Sequence, residues 1–258
     1  MIVAEIGINH FGSEKELKLI TDKLINSPIK NISIMCQSQL FYEKYKKKGL
    51  NFEFNYIVYD KLIKKFKEKK KKIGLSVCDL ESFNKIENLN FDFYKLLSVA
   101  INDYNLIEKL KKKRKKIFIS TGFGATDSKI SKCLKKLEII KNKIELLHTP
   151  ITYSERELNL RKILYLKKKF NLKTGYSHHF CDISAIYASS SYKPDSLFFY
   201  CKPFIKKNRV YPDDKHAVLL KDIDNISINF NKSVLMHNLN FKQKKKYNKI
   251  KVFNEIKK

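Results

Sequence analysis

Val3-Ala4-Glu5-Ile6-Gly7-Ile8-Asn9-His10-Phe11-Gly12-Ser13 runs from an apolar strand into a polar, glycine-bearing turn and then into a helical pattern. Residues able to do chemistry gather at the strand's exit: Glu5, Asn9 and His10. The same plan recurs along the chain. Strands are predicted at Ile2 to Gly7, Asn31 to Gln37, Ile73 to Val77, Phe91 to Leu97, Ile117 to Thr121, Ile144 to His148, Lys173 to Ser177 and Leu197 to Cys201. Between them apolar residues recur at helical spacing, as in Leu17, Ile20, Leu24 and Ile25, or Leu160, Ile163, Leu164 and Leu166. Eight strands, each with room for a helix after it, predict a parallel sheet covered by helices. Closure into a single-domain (β/α)8 TIM barrel is the natural solution, and an open doubly wound sheet is the alternative. No G-x-G-x-x-G or P-loop pattern supports a nucleotide fold.

Two segments depart from this alternation. Ser38 to Phe54 is long, polar and aromatic, and follows strand 2, where a barrel carries an active-site loop. From Asn225 the pattern weakens. We read residues 1–224 as the barrel and 225–258 as a basic extension, with Ile226-Ser227-Ile228-Asn229-Phe230 as a further short strand and a loose end from Lys242 to Lys258.

A length of 258 residues suits one barrel. No apolar run reaches the ~18 residues of a membrane span, and the N-terminus enters a strand without a signal-like segment. The expected location is the cytoplasm. Five cysteines without a C-x-x-C read as reduced thiols, mostly buried. The net charge of +28 comes from lysine runs such as Lys61 to Lys72 and Lys109 to Lys116. Such runs can mark a nucleic-acid or anionic-membrane surface. Here they fall on outer helix faces with little aromatic interleaving, and they read as solvated lysine rather than a base-stacking groove.

Catalytic groups of such barrels sit at the C-terminal ends of the strands. Those ends offer Glu5, Asn9 and His10; Cys36 and Gln37; Ser76, Cys78 and Asp79; Lys95 and Ser98; Ser120 and Thr121; His148, Thr149 and Tyr153; Ser177, His178 and His179; Cys201 and Lys202. Glu5 and Lys95 stand inside apolar runs, where an unpaired charge is costly. They are either functional or a structural ion pair. His178 and His179 are neighbours on extended chain, so at most one faces the mouth. Asp213 and Asp214 in Tyr211-Pro212-Asp213-Asp214-Lys215 read as a turn.

In this order the strand ends resemble the sialic acid (nonulosonic acid) synthase family. Ala4 to Ser13 matches its AEIGINHNGS opening, with Phe11 in place of Asn. Ile119-Ser120-Thr121-Gly122 resembles its STGM turn, Leu146-Leu147-His148 through Tyr153 its LLHCTSxYP block, Asn159-Leu160-Arg161 its NLR, and Gly175-Tyr176-Ser177-His178-His179 its GYSDH. The resemblance implies a TIM barrel that condenses phosphoenolpyruvate (PEP) with an N-acetylated amino sugar. C3 of PEP attacks the open-chain aldehyde, water adds at C2, and phosphate leaves. A divalent metal, Mn or Mg, would polarise the aldehyde. It implies Glu5 at the reacting centre, Lys95, Ser98 and Ser177 on PEP, Tyr153 and Asp213 on the sugar, and His179 on the metal, with Asn9 and Gln37 among the substrate-binding residues.

This sequence departs from the pattern at several site positions. The strand-2 lysine is Met35, the threonine after strand 3 is Val77, and the glutamate of the strand-4 block is Ala100. The asparagine before the strand-6 tyrosine is Ile151. Strand 8, EKHF in the family, reads Cys201-Lys202-Pro203-Phe204, which removes the second metal histidine. Cys201 is considered as a substitute second ligand, which would favour zinc. The family's C-terminal antifreeze-like domain, which reaches across a dimer, has no counterpart in this sequence. Two readings follow: a PEP-dependent synthase, alone or completed by a homodimer or other partner chain, or a NeuB-like barrel that binds without turnover. A nucleic-acid-associated protein is the third and least supported.

Overall fold

A computed structural model describes residues 1–204 and 210–237. Eight parallel strands follow one another round a closed sheet. They are β1 (Ile2–Ile6), β2 (Asn31–Cys36), β3 (Lys72–Val77), β4 (Phe93–Leu96), β5 (Lys116–Ser120), β6 (Ile144–His148), β7 (Thr174–His178) and β8 (Leu197–Lys202). Each pairs with its sequence neighbour, and β8 pairs back onto β1, with Glu5 opposite Tyr200. Among the described residues ten α-helices lie outside: α1 (Glu14–Asn26), α2 (Gln39–Lys46), α3 (Tyr56–Glu68), α4 (Leu80–Asn84), α5 (Tyr104–Lys112), α6 (Asp127–Lys136), α7 (Glu155–Leu158), α8 (Lys162–Phe170), α9 (Ser184–Ser189) and α10 (Ile223–Met236). This is a single-domain (β/α)8 barrel.

Local chemistry explains the alternation. Six of the helices start on a polar N-cap whose side chain accepts a helix N–H: Ser13, Ser38, Asn55, Asp79, Asp103 and Thr126. Such caps satisfy donors that the first turn leaves open. The strands read as continuous apolar runs because both faces are buried. Ala4, Ile6, Ile32, Ile34 and Leu75 face the helices. Val3, Phe93, Phe118, Leu147 and Phe198 fill the barrel's interior as an apolar floor. Phe118 packs edge-on against both Phe93 and Phe198.

Two expectations change. Ser38 to Phe54 is not an open active-site loop. It folds as α2 and a strap that lies over the turn after β1. Gly12 has φ +72°, and a side chain there would meet the Asn51 carbonyl oxygen at 1.5 Å. The His10 and Phe54 rings stack at 4.5 Å, and Phe11 meets Phe52 at 6.0 Å. The segment at Ile226 to Phe230 is helix, not strand. Ile223, Ile226 and Phe230 form its buried stripe, and Lys23 on α1 pairs with Asp224 at 2.8 Å. Residue 224, expected as the barrel's limit, therefore lies inside the helix that follows β8. A two-residue strand, β9 (Val218–Leu219), precedes it and pairs with Cys201 and Lys202. The expected loose end, Lys242 to Lys258, lies outside the described residues. Among the described residues no helix is long and apolar enough to cross a membrane.

Candidate ligand-binding site at the barrel mouth

A polar layer sits above the apolar floor. Glu5 is the inward residue before the end of β1, and Lys95 occupies the same level on β4. Lys95 Nζ donates to Glu5 Oε2 at 2.6 Å and to Ser177 Oγ at 3.0 Å. Ser76 donates to Glu5 Oε1 at 3.1 Å and shares a hydrogen bond with Ser33 at 2.7 Å. The ammonium also stands over the Phe198 ring at 5.0 Å. Burial pushes Lys95 below the ordinary lysine range, and the adjacent Glu5 carboxylate pulls the other way. The two residues that looked most informative in the sequence are thus each other's partner.

Above this layer the strand ends enclose a cavity of about 240 Å³. Of the expected site residues, Gln37, Lys95, Ser98, His179 and Asp213 line it, together with Met35, Cys78, Ser120, Tyr200 and His216. Ser98 Oγ accepts from the Gly122 N–H at 2.8 Å, which fixes the loop after β5. Gln37 Oε1 accepts from Cys78 Sγ at 3.1 Å. A second cleft, lined by Thr121, Gly122, His148, Asn159 and Lys162, adjoins the first and shares Phe123, Thr149 and Ile151 with it. A larger groove of about 460 Å³ between α1 and α3 lies on the outer wall, away from the strand ends.

Three further expected residues lie outside the cavity lining. Asn9 is fully buried and spends its amide on the backbone: Nδ2 donates to the Cys201 carbonyl at 2.8 Å, and Oδ1 accepts from the Asp213 N–H at 2.9 Å. It staples β1 to β8 and to the loop before β9, and it does not line the cavity. Tyr153 is 49% exposed on the rim, with Lys215 Nζ 4.8 Å from its ring centre. Cys201 does not face His179. Strand alternation turns its side chain to the helices, where it packs in the outer core with Val218 and Leu220. There burial pushes the thiol well above its usual range. Lys202 is engaged by Asp214, with Nζ donating to Oδ1 at 2.9 Å and to the backbone carbonyl at 2.6 Å.

The residues facing His179 are Tyr200 and His216, with ring centres at 5.4 and 5.1 Å. His179 Nδ1 lies 3.1 Å from the Ser177 carbonyl oxygen. His178 turns away, with Nδ1 3.3 Å from the Tyr176 hydroxyl, so only one of the histidine pair meets the mouth. Asp213 reaches in from the turn before β9. Its Oδ2 accepts from the Ile8 N–H at 3.3 Å, and its Oδ1 lies 3.8 Å from His216 Nε2. A side chain on Gly7 would meet Asp213 Oδ2 at 2.5 Å and the Tyr200 ring at 2.7 Å, so the glycine is what admits them. Burial raises the Asp213 carboxyl to about 6 and lowers His216 to about 4 and His179 well below its usual range. His216 was not singled out in the sequence; its signal is a histidine three residues after an aspartate in a turn.

A divalent metal is not supported by these side chains. Among the described residues no three His, Cys, Asp or Glu are grouped so as to hold one. His179, His216 and Asp213 fall short of such a set, and the two imidazoles pack on Tyr200 and on each other.

The profile of the NeuB family matches residues 19–192, more than half of the chain. The chain belongs to the NeuB family. A protein of uncharacterized function from Methanocaldococcus jannaschii is 30% identical over 202 residues, covering 71% of this chain and 56% of that protein. The N,N'-diacetyllegionaminic acid synthase of Campylobacter jejuni is 34% identical over 106 residues, covering 39% of this chain and 31% of its own length. The chain thus spans little more than half, or less, of the relatives it matches. In fold it is similar to the N-acetylneuraminic acid synthetase of Leptospira borgpetersenii, solved with citrate, at a TM-score of 0.82 and 19% identity over 99% of this chain and 89% of that one. It is also similar to the spore coat polysaccharide biosynthesis protein of Bacillus subtilis, at a TM-score of 0.75 and 20% identity over 90% and 67%.

Proposed function

We propose that this chain is a NeuB-family barrel that binds a small sugar-type ligand at its mouth without carrying out metal-dependent condensation. The observation behind this reading is what faces His179. Strand 8 presents Tyr200 there, Cys201 turns outward, and among the described residues no three-ligand set surrounds the imidazole. The same direction is favoured by Met35, an uncharged side chain at the position where the resemblance calls for a second lysine on PEP. Lys95, the cation that remains, is already held by Glu5.

A synthase reading is favoured by the retained Glu5, Lys95 and Ser177 network and by the match of residues 19–192 to the family. In it, PEP and an N-acetylated amino sugar are the substrates, and a second copy or another chain supplies the absent groups. The two readings separate in one assay: phosphate release from PEP with N-acetylated amino sugars and Mn or Mg, at protein concentrations that allow self-association. We expect no release. Release that depends on both the sugar and PEP would overturn the binding reading.

A further inference from the structure

Both readings above use Lys95 only as a charge, yet its Nζ is also a nucleophile. It lies at the base of the cavity that the strand ends enclose, with none of its side chain exposed. Glu5 Oε2 is at 2.6 Å, Ser177 Oγ at 3.0 Å, and the Phe198 and Tyr200 ring centres at 5.0 and 5.7 Å. A lysine held away from water gives up its proton more readily, and its free amine attacks carbonyl carbon. Burial moves Lys95 in that direction. Glu5 is within reach to take the proton and to return it. Cys78 also lines the cavity, but burial holds its thiol well above the usual range, which keeps it protonated.

A second observation points to an occupant beside Lys95. On β5, Phe118 is opposite Lys95 in the sheet and belongs to the apolar floor. Ser120, two residues on, therefore faces the mouth one layer higher. It is 1% exposed and lines the cavity, and its Oγ has no hydrogen-bond partner in the protein. An unpaired buried hydroxyl is costly, and native proteins rarely leave one.

The charge of the recess favours an uncharged reactant. Among the described residues that line it, Lys95 alone carries a fixed positive charge, and Glu5 already matches it. Asp213 adds a carboxyl group to the wall. A ketone bearing a carboxylate would meet no uncommitted cation, and burying an unpaired charge is costly. Condensing a neutral ketone leaves the balance as it was, because the iminium carries the same single charge as the ammonium it replaces.

We propose that Lys95 forms a Schiff base with a small uncharged ketone, and that Ser120 Oγ hydrogen-bonds a hydroxyl of the same molecule. The ammonium passes one proton to Glu5. The free amine attacks the carbonyl carbon, a C–N bond forms, and the carbonyl π pair moves to oxygen. A proton then shifts from nitrogen to that oxygen. Glu5 protonates the resulting hydroxyl, which leaves as water as the nitrogen lone pair closes the C=N bond. Glu5 is again a carboxylate and faces the iminium as it faced the ammonium. This activity goes beyond the binding reading and is tested apart from it.

The test is exposure of the full chain to hydroxyacetone with sodium cyanoborohydride, whose hydride reduces the iminium carbon and fixes the adduct as a secondary amine. Peptide mass spectrometry then locates it. Lys95 should be modified ahead of the exposed Lys18 and Lys64, and that preference should vanish in urea. Lys95→Arg keeps a cation for Glu5 and should give no adduct at that position. Ser120→Ala should be labelled about 3- to 10-fold more slowly, the worth of one neutral hydrogen bond. Pyruvate should label Lys95 more slowly than hydroxyacetone does. Unfolding midpoints of the two variants establish that they fold. Four outcomes would each overturn the proposal: Lys18 and Lys64 modified while Lys95 is not, the same preference in urea, an unchanged rate in Ser120→Ala, or faster labelling by pyruvate. Phosphate release from PEP, which would defeat the binding reading, is a separate readout and does not touch the adduct.

Discussion

Lys95 Nζ lies 2.6 Å from Glu5 Oε2 across the barrel's interior, with 0% and 2% of the two side chains exposed. Their strands are far apart in sequence, and only closure of the sheet brings them together. Breaking such a pair leaves one charge buried alone, which costs about 3–5 kcal/mol. Glu5→Gln and Lys95→Met should each lower stability by that order in urea unfolding. The double variant should lose less than the sum, because it leaves no uncompensated charge. Strict additivity would show that the pair does not interact energetically.

The histidines predict acid sensitivity. Burial lowers His10 and His178 to about 3, and His148 and His216 to about 4. It also lowers His179 well below its usual range. A histidine whose folded pKa is depressed binds protons more readily when unfolded. Its stabilising contribution is present above the unfolded value of about 6.5 and is lost as pH falls toward the folded value. Asp213, raised to about 6, acts in the opposite sense between about 4 and 6, but it is one group against five. The net expectation is a falling melting temperature from pH 6.5 to 4, followed by circular dichroism. A midpoint flat across that range would refute it.

How much of this was legible in the sequence depends on how local each signal is. The eight strands could be read because strands buried on both faces are short unbroken apolar runs, and the polar caps after them mark the helix starts. Glu5 and Lys95 stood out because charge is rare in such runs. The far wall of the mouth was not legible. Asp213 and His216 come from a turn whose direction is set by Ile8 and Asn9, some 205 residues earlier. Ile226 to Phe230 fits a period of two as well as a helical stripe, and only packing beside α9 decides between them. Asn9 looked like a substrate contact because nothing local tells a polar residue that binds ligand from one that satisfies backbone.

That use of Asn9 gives a clean expectation. Removing its amide leaves the Cys201 carbonyl and the Asp213 N–H without partners, at about 2–4 kcal/mol together. Asn9→Ala should therefore be destabilised in urea. Asn9→Asp keeps the acceptor for Asp213 but loses the donor to Cys201, and should fall between. A residue that acted on ligand alone would change affinity and leave the unfolding midpoint in place.

Met35 supplies the converse test, by adding a function instead of removing a contact. It is 8% exposed, lines the mouth and packs against Tyr200 and Ala217. A lysine there would bring a second ammonium to the recess, and this one would have no Glu5 to neutralise it. Met35→Lys should cost some stability, since a buried ammonium is poorly solvated. In return it should create binding of PEP where the natural chain is expected to show none. A charge-assisted hydrogen bond is worth about 1.5–3 kcal/mol, or roughly 10- to 150-fold in affinity. Titration with PEP and with the neutral sugars, on both proteins, should show PEP gaining while the sugars do not. Equal PEP affinity in the two proteins would mean that the charge balance at Lys95 and Glu5 does not govern what the mouth accepts.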